Sequence, residues 1–202
     1  MSERNREWSE GAIMHLINRG NEKKEIFLDG YDYEFFRGLL KDAAGEHGYK
    51  IIALCGLPNH FHILAKTSDY PLGEWMKGIQ VSYARYFNDR YERCGHLFGG
   101  RYRSRRIDNQ QYLLEASLYI HLNAVRAGLV SRPEDYRFSS YRTYIGLSKD
   151  PLICPEEVLK YVNGPDPIAN YREFVESAII PRSLATRPSS VTDTAEDAAC
   201  ME

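Results

Sequence analysis

No stretch of the chain approaches the ~18 consecutive apolar residues that a membrane-spanning helix requires, so a transmembrane role is not expected. Cysteine is scarce. The four residues, Cys55, Cys94, Cys154 and Cys200, stand far apart with no Cys-x-x-Cys pair, which argues against a structural zinc site. The opening residues, MSERNREWSEGA, are charged and hold no apolar segment, so no secretory signal is expected and a cytoplasmic location follows. A disulfide framework needs an oxidising compartment. The cysteines are therefore expected as free thiols, with Cys55, inside an apolar run, in the core. There is no internal repeat and no G-x-x-x-x-G-K-[ST] phosphate loop, so no nucleotide cofactor is implied. Nor does one sign of charge dominate, because the net charge is −2.

That near-neutrality hides an asymmetry. Residues 1–150 hold 22 of the 26 Lys and Arg and 19 of the 28 acids, a net of +3, whereas residues 151–202 have a net of −5. Between Lys77 and Ile107 lie Lys77, Arg85, Arg90, Arg93, Arg101, Arg103, Arg105 and Arg106 against only Asp89 and Glu92, a local net of +6. Tyr83, Tyr86, Phe87, Tyr91, Phe98 and Tyr102 are interleaved with them. Guanidinium groups neutralise phosphate and rings stack on bases, so this mixture suits a nucleic-acid strand. It equally suits a solvated helix face whose aromatics pack inward, and composition does not separate the two.

Residues 1–10 read as a leader. Ala12–Asn18 reads as a strand closed by the Arg19-Gly20-Asn21 turn. Asp29–His47 has apolar residues at helical spacing (Phe36, Leu39, Leu40, Ala43), with Asp32 as the expected cap and Gly48 as the stop. Tyr49–Leu57 and His60–Thr67 form a strand pair about the Pro58-Asn59 turn. A second helix is predicted from Leu72 to about Arg93, a strand ending at Ile107, and a third helix from Asn109 to about Ala127. The order strand, helix, strand, strand, helix, strand, helix predicts an α+β fold: an antiparallel, ferredoxin-like sheet with helices packed on it. Residues 11–150 are expected to be the catalytic domain and 151–180 a short helical appendage. The Ser/Thr/Ala/Asp-rich residues 181–202 are expected to be a disordered tail.

His60 and His62 stand two apart in a predicted strand, so both imidazoles leave the same face. Two such rings can share a divalent metal, although paired surface histidines are common and the pattern alone is weak. A cupin places Glu a few residues later, where this chain has Lys66 and Thr67. A histidine-triad hydrolase has a third His two further on, where this chain has Leu64. A third ligand must then come from elsewhere. The third helix offers Asn123, a hard amide oxygen suited to Mg²⁺ or Mn²⁺. One turn before it stands Tyr119, a phenol that could serve as nucleophile. Spacing alone does not choose Tyr119 over Tyr112 or Tyr141. His15 is expected in a core or hydrogen-bonded role.

Four ordered segments carry a resemblance: NRGNEKKEIF (18–27), LPNHFHIL (57–64), SYARYFNDRYERCGHLFGGRYRS (82–104) and YIHLNAVRAGLVSRPEDYRFSSY (119–141). Over roughly residues 11–150 the chain resembles the HUH-type single-tyrosine transposases, in particular the group associated with repetitive extragenic palindromes (REP). The resemblance implies an HUH endonuclease fold, with His60 and His62 as the motif histidines, Asn123 as third metal ligand and Tyr119 as nucleophile. It departs from the family pattern at Ala124, where Pro is usual, and at Leu57, where Met is usual. Neither change removes a functional atom.

Such enzymes cleave single-stranded hairpin DNA through a 5′-phosphotyrosine intermediate, with a divalent metal (Mg²⁺ or Mn²⁺), as monomers or homodimers acting on bacterial nucleoid DNA. A free phenol with pKa ~10 is ionised in only about one molecule per thousand at pH 7, so charge at the reacting oxygens must be offset. DNA-backbone contacts are expected from Arg19, Arg101, Arg103, Arg105, Arg106 and Arg126. Arg101, Arg103 and Arg105 share one strand face and Arg106 lies on the other. The competing expectations are a silent hairpin-binding module and a metal-dependent hydrolase that uses water.

Overall fold

A computed structural model describes residues 8–179. Four strands, β1 (Ile13–Arg19), β2 (Lys50–Leu57), β3 (His60–Lys66) and β4 (Arg103–Ile107), form one sheet in the order β2-β3-β1-β4. Every pairing is antiparallel. With α1 (Gly30–His47), α2 (Leu72–Arg90) and α3 (Gln110–Arg126) between and after the strands, this is the predicted ferredoxin-like α+β plan.

The two faces of the sheet are used differently. Phe61 on β3 meets Phe36 of α1 with ring centroids 4.8 Å apart, and Phe36 meets Tyr83 of α2 at 5.2 Å. That face is the main apolar core. Period two turns His60 and His62 to the opposite face, where α3 packs across β2 and β3. Covered on both sides, β2 is buried from Ile51 through Leu57 and shows no alternation, as expected for a doubly covered strand. The edge strand β4 carries three arginines and buries only Ile107, a charged edge that resists pairing with other chains.

The first helix is capped differently from expectation. Asp29, not Asp32, is the N-cap: its side chain accepts from the amides of Tyr31 and Asp32. Asp32 answers from the third helical position as the other half of a capping box. Buried there, it also accepts from Leu28 N, Tyr86 Oη and Tyr91 Oη and pairs with Arg90 at 2.8 Å. Spacing identified the helix start but not which of two aspartates turns its back on solvent.

After α3 the chain returns along the outer edge of β2. Gly56 N donates to Phe138 O, Ser140 N to Leu54 O and Cys154 N to Ile51 O. Short helices α4 (Tyr141–Tyr144), α5 (Glu156–Leu159) and α6 (Pro167–Ser177) follow. Val158, Tyr171 and Val175 are fully buried in the hydrophobic core, so residues 151–179 pack into the same core. Cys55, Cys94 and Cys154 are free thiols, and Cys55 is buried. The tail expected over 181–202, Cys200 with it, and most of the 1–10 leader lie outside the described residues. Among the described residues no helix is long and apolar enough to cross a membrane.

Candidate active site

Strand register assembles the site. In β3, His62 lies opposite Ile17 of β1 and Cys55 of β2, and His60 lies opposite Arg19 and Leu57. Asn109 caps α3 by accepting from Tyr112 N at 2.8 Å, and the helix runs over the histidine face. It brings the Tyr119 ring to 5.3 Å from the His62 ring, edge to face, and to 6.2 Å from His15. The His60 and His62 centroids are 5.1 Å apart. Among the ring contacts of the described residues, His62 and His15 meet Tyr119 and neither Tyr112 nor Tyr141. Tyr112 lies under the Arg105 guanidinium at 4.9 Å, and Tyr141 is buried beside His121.

The electrostatics disfavour the charged forms of His62 and His15. Burial, with lesser contributions from His15, His60 and Arg19, holds His62 well below the usual histidine range. Burial and the nearby Arg105 bring His15 down to about 4. The Nδ1 of His62 is engaged by His15 Nε2 at 3.0 Å, and the Nδ1 of His60 by Asn59 Oδ1 at 2.6 Å. Because that oxygen is an acceptor, His60 carries a hydrogen on Nδ1.

Among the described residues, no three His, Cys, Asp or Glu side chains come together as a metal-binding group. A cation held here would therefore need a ligand of another chemistry. Two buried atoms fit that need: His62 Nε2 and Asn123 Nδ2 have no hydrogen-bond partner. The Trp75 indole and the Tyr141 hydroxyl are orphaned too, so an orphan is not a signature by itself. What distinguishes these two is place. One is the second ring nitrogen of His62, and the other belongs to an amide one helical turn from Tyr119. Rotating that amide about its Cβ–Cγ bond exchanges Nδ2 for the oxygen, a hard ligand.

The arginines divide. Arg19, Arg101 and Arg103 line one cleft of about 300 Å³ with Lys23, Asn18, Glu22 and the Gly99-Gly100 backbone. The turn after β1 shapes it: Gly20 N donates to Asn59 O and Ile26 N to Pro58 O, which docks the NRGN turn on the Pro58-Asn59 turn. A side chain at Gly20 would lie 2.0 Å from Lys24 O. Lys23, with a left-handed φ of 61°, was not singled out from sequence, because nothing in the spacing shows that the turn folds back toward Arg103. Arg105 lies beside His15 and over Tyr112. The exposed Arg126 guanidinium is 5.0 Å from the Tyr119 ring centroid. Arg106 faces the other side and pairs with Asp108 at 3.2 Å.

Residues 9–123 match the family model described as "Transposase IS200 like". The matched span covers more than half of the chain, closes at Asn123 and includes His60, His62 and Tyr119. A REP-associated tyrosine transposase of Haemophilus influenzae is 24% identical over 156 residues, covering 70% of this chain and 86% of the relative. Among solved structures, a REP-associated tyrosine transposase bound to a REP hairpin superposes with a TM-score of 0.62 at 17% identity, over 76% of this chain and 98% of that one. The sheet with its packed helices is thus the HUH fold of that protein. This chain belongs to the IS200-like transposase family and is similar to the REP-associated tyrosine transposases.

Proposed function

We propose that this chain cleaves and rejoins single-stranded DNA beside a hairpin, with Tyr119 as nucleophile. The phenol oxygen attacks the scissile phosphorus, a Tyr–O–P bond forms at the 5′ side, and the bond to the 3′ oxygen breaks. The phenol proton leaves for the departing 3′ oxygen, by way of solvent or a neighbouring base. A 3′-hydroxyl on another strand can run the step in reverse and release the tyrosine. Bond energy is kept in the ester, so no nucleotide is consumed. The observation that carries this reading is the Tyr119 ring edge-on to His62, at 5.3 Å, on the face that also holds His60.

His60 Nε2, His62 Nε2 and Asn123 would hold Mg²⁺ or Mn²⁺, which when bound polarises the scissile phosphate and offsets its developing charge. The remaining work belongs to the chain. Asn59 and His15 fix the two imidazoles. Arg126, beside the Tyr119 ring, adds positive charge where phenolate and phosphate oxygens meet. Arg19, Lys23, Arg101 and Arg103 bind the backbone of the unpaired strand along their common cleft, with Arg105 continuing the track. Arg106 would reach only DNA that wraps round the sheet edge. The hairpin is the proposed ligand because the solved relative of the same fold is bound to one. Residues 11–150 are the proposed catalytic unit.

The test is a denaturing gel of the purified chain with end-labelled hairpin DNA and Mn²⁺ or Mg²⁺, with and without EDTA. A metal-dependent covalent band that is absent in Tyr119→Phe, while the variant still binds hairpin, is the expected result. Cleavage without an adduct would replace this reading by hydrolysis with water. Hairpin binding with neither adduct nor cleavage would replace it by a recognition module.

A further inference from the structure

We propose that His15 is a positioning residue that fixes the tautomer and aim of His62, so that His62 presents an unprotonated Nε2 to the cation. The inference rests on the metal reading above and goes beyond it, to a residue that is not itself a ligand.

The geometry is specific. In the β1–β3 register His62 lies opposite Ile17, which makes His15 its diagonal neighbour on the same face. The contact is His15 Nε2 to His62 Nδ1 at 3.0 Å, between rings whose centroids are 5.2 Å apart. Both side chains are buried. Two neutral imidazoles in this contact share one hydrogen, and it has two possible owners.

If His15 held it, the hydrogen of His62 would sit on Nε2. That atom is buried and has no partner among the described residues, so an orphaned N–H would result, the costlier kind of orphan. It would also block a cation. If His62 holds it, Nδ1–H donates to His15 and Nε2 carries the lone pair. The orphan atom then becomes a ligand with its aim set by the strand next door. The arrangement is the one metal-binding histidines generally use, with the second ring nitrogen donating to a fixed acceptor. Here the acceptor is another imidazole, which can act only while its own hydrogen is on Nδ1. His15 is thereby excluded as a third ligand through Nε2, in agreement with the need for Asn123.

Two measurements on the full-length chain test this. Long-range ¹H–¹⁵N correlation spectra of the metal-free protein, assigned with His60→Gln and His62→Gln, report which nitrogen of His62 is protonated. Nδ1–H with a bare Nε2 is expected, and Nε2–H would overturn the inference whatever the metal does. Mn²⁺ titration followed by electron paramagnetic resonance is the second. His15→Leu should bind roughly 10- to 100-fold more weakly than wild type. His15→Gln, whose side-chain oxygen falls near the lost Nε2, should recover most of that loss. An unchanged Mn²⁺ affinity in a folded His15→Leu variant overturns the inference and leaves the metal reading standing. Failure of the wild-type chain to bind Mn²⁺ overturns both.

Discussion

His60 and His62 could be read as a same-face pair from their spacing, and Tyr119 and Asn123 as neighbours one turn apart. What spacing could not supply was the choice of Tyr119 over Tyr112 or Tyr141, because that depends on which face of α3 meets the sheet. The ring contact with His62 is what favours Tyr119 in the proposed role. The arginines separate in the same way. Arg103 opens on the shared cleft, whereas Arg106 lies on the opposite face against Asp108. Arg103→Ala should weaken hairpin binding and lower the slope of log K against log salt by about 0.7–0.9, one phosphate contact. Arg106→Ala should leave that slope nearly unchanged. Fluorescence anisotropy over a salt series measures both, and equal effects would refute the assignment of the cleft.

Elements position those side chains, and most of them were legible. Apolar periodicity gave α1, α2 and α3, and the Pro58-Asn59 turn gave the β2–β3 hairpin. The cap of α3 is Asn109, which accepts from Tyr112 N. Asn109→Ala should cost about 1 kcal/mol, read as a lower urea midpoint. The cap of α1 was assigned to the wrong aspartate, because Asp29 and Asp32 both fit the pattern locally. Only burial, with Tyr86, Tyr91 and Arg90 arriving from α2 and its end, tells them apart. The docking of the NRGN turn on the hairpin turn was not legible either, since it joins residues about 40 positions apart. Gly20→Ala tests it. With Lys24 O only 2.0 Å from the added carbon, the turn must move. Hairpin affinity should fall by more than the loss of stability explains, as checked by binding measured well below the melting temperature.

At the scale of the whole molecule, α3 is held from behind by the chain that follows it. His121, two residues past Tyr119, is buried with Nδ1 at 2.8 Å from Tyr171 Oη of α6 and Nε2 at 2.9 Å from Ser140 Oγ. Tyr171 Oη also donates to Ser117 Oγ of α3, and Leu54 N of β2 donates to Ser140 Oγ. This network ties α3 to its own sheet and its own C-terminal segment. Glu157 adds ion pairs to Lys50 and Lys66 of the sheet at 3.2 and 3.6 Å. None of it could be read from sequence, because His121 looks like any other helix histidine until its partners are known.

The network has a pH consequence. Burial pushes His121 down to about 3 from an ordinary 6.5. The folded value lies below the unfolded one, so the unfolded chain takes up the proton first as pH falls. Stability present above pH 6.5 is therefore lost between about 6.5 and 3, at roughly 1.4 kcal/mol per pH unit for this group. In denaturant titrations at pH 7, 6 and 5, His121→Gln should lose stability at pH 7 but show a shallower decline with acid. A parallel decline would contradict the assignment.

In the proposed reaction Tyr119 forms the bond to DNA. Tandem mass spectrometry of the nuclease- and protease-digested covalent complex tests it most directly. The residual nucleotide phosphate should map to Tyr119 within the peptide between Arg106 and Arg126. Finding it on Tyr112, Tyr141 or any other residue, or finding cleaved DNA with no modified peptide, would contradict the account.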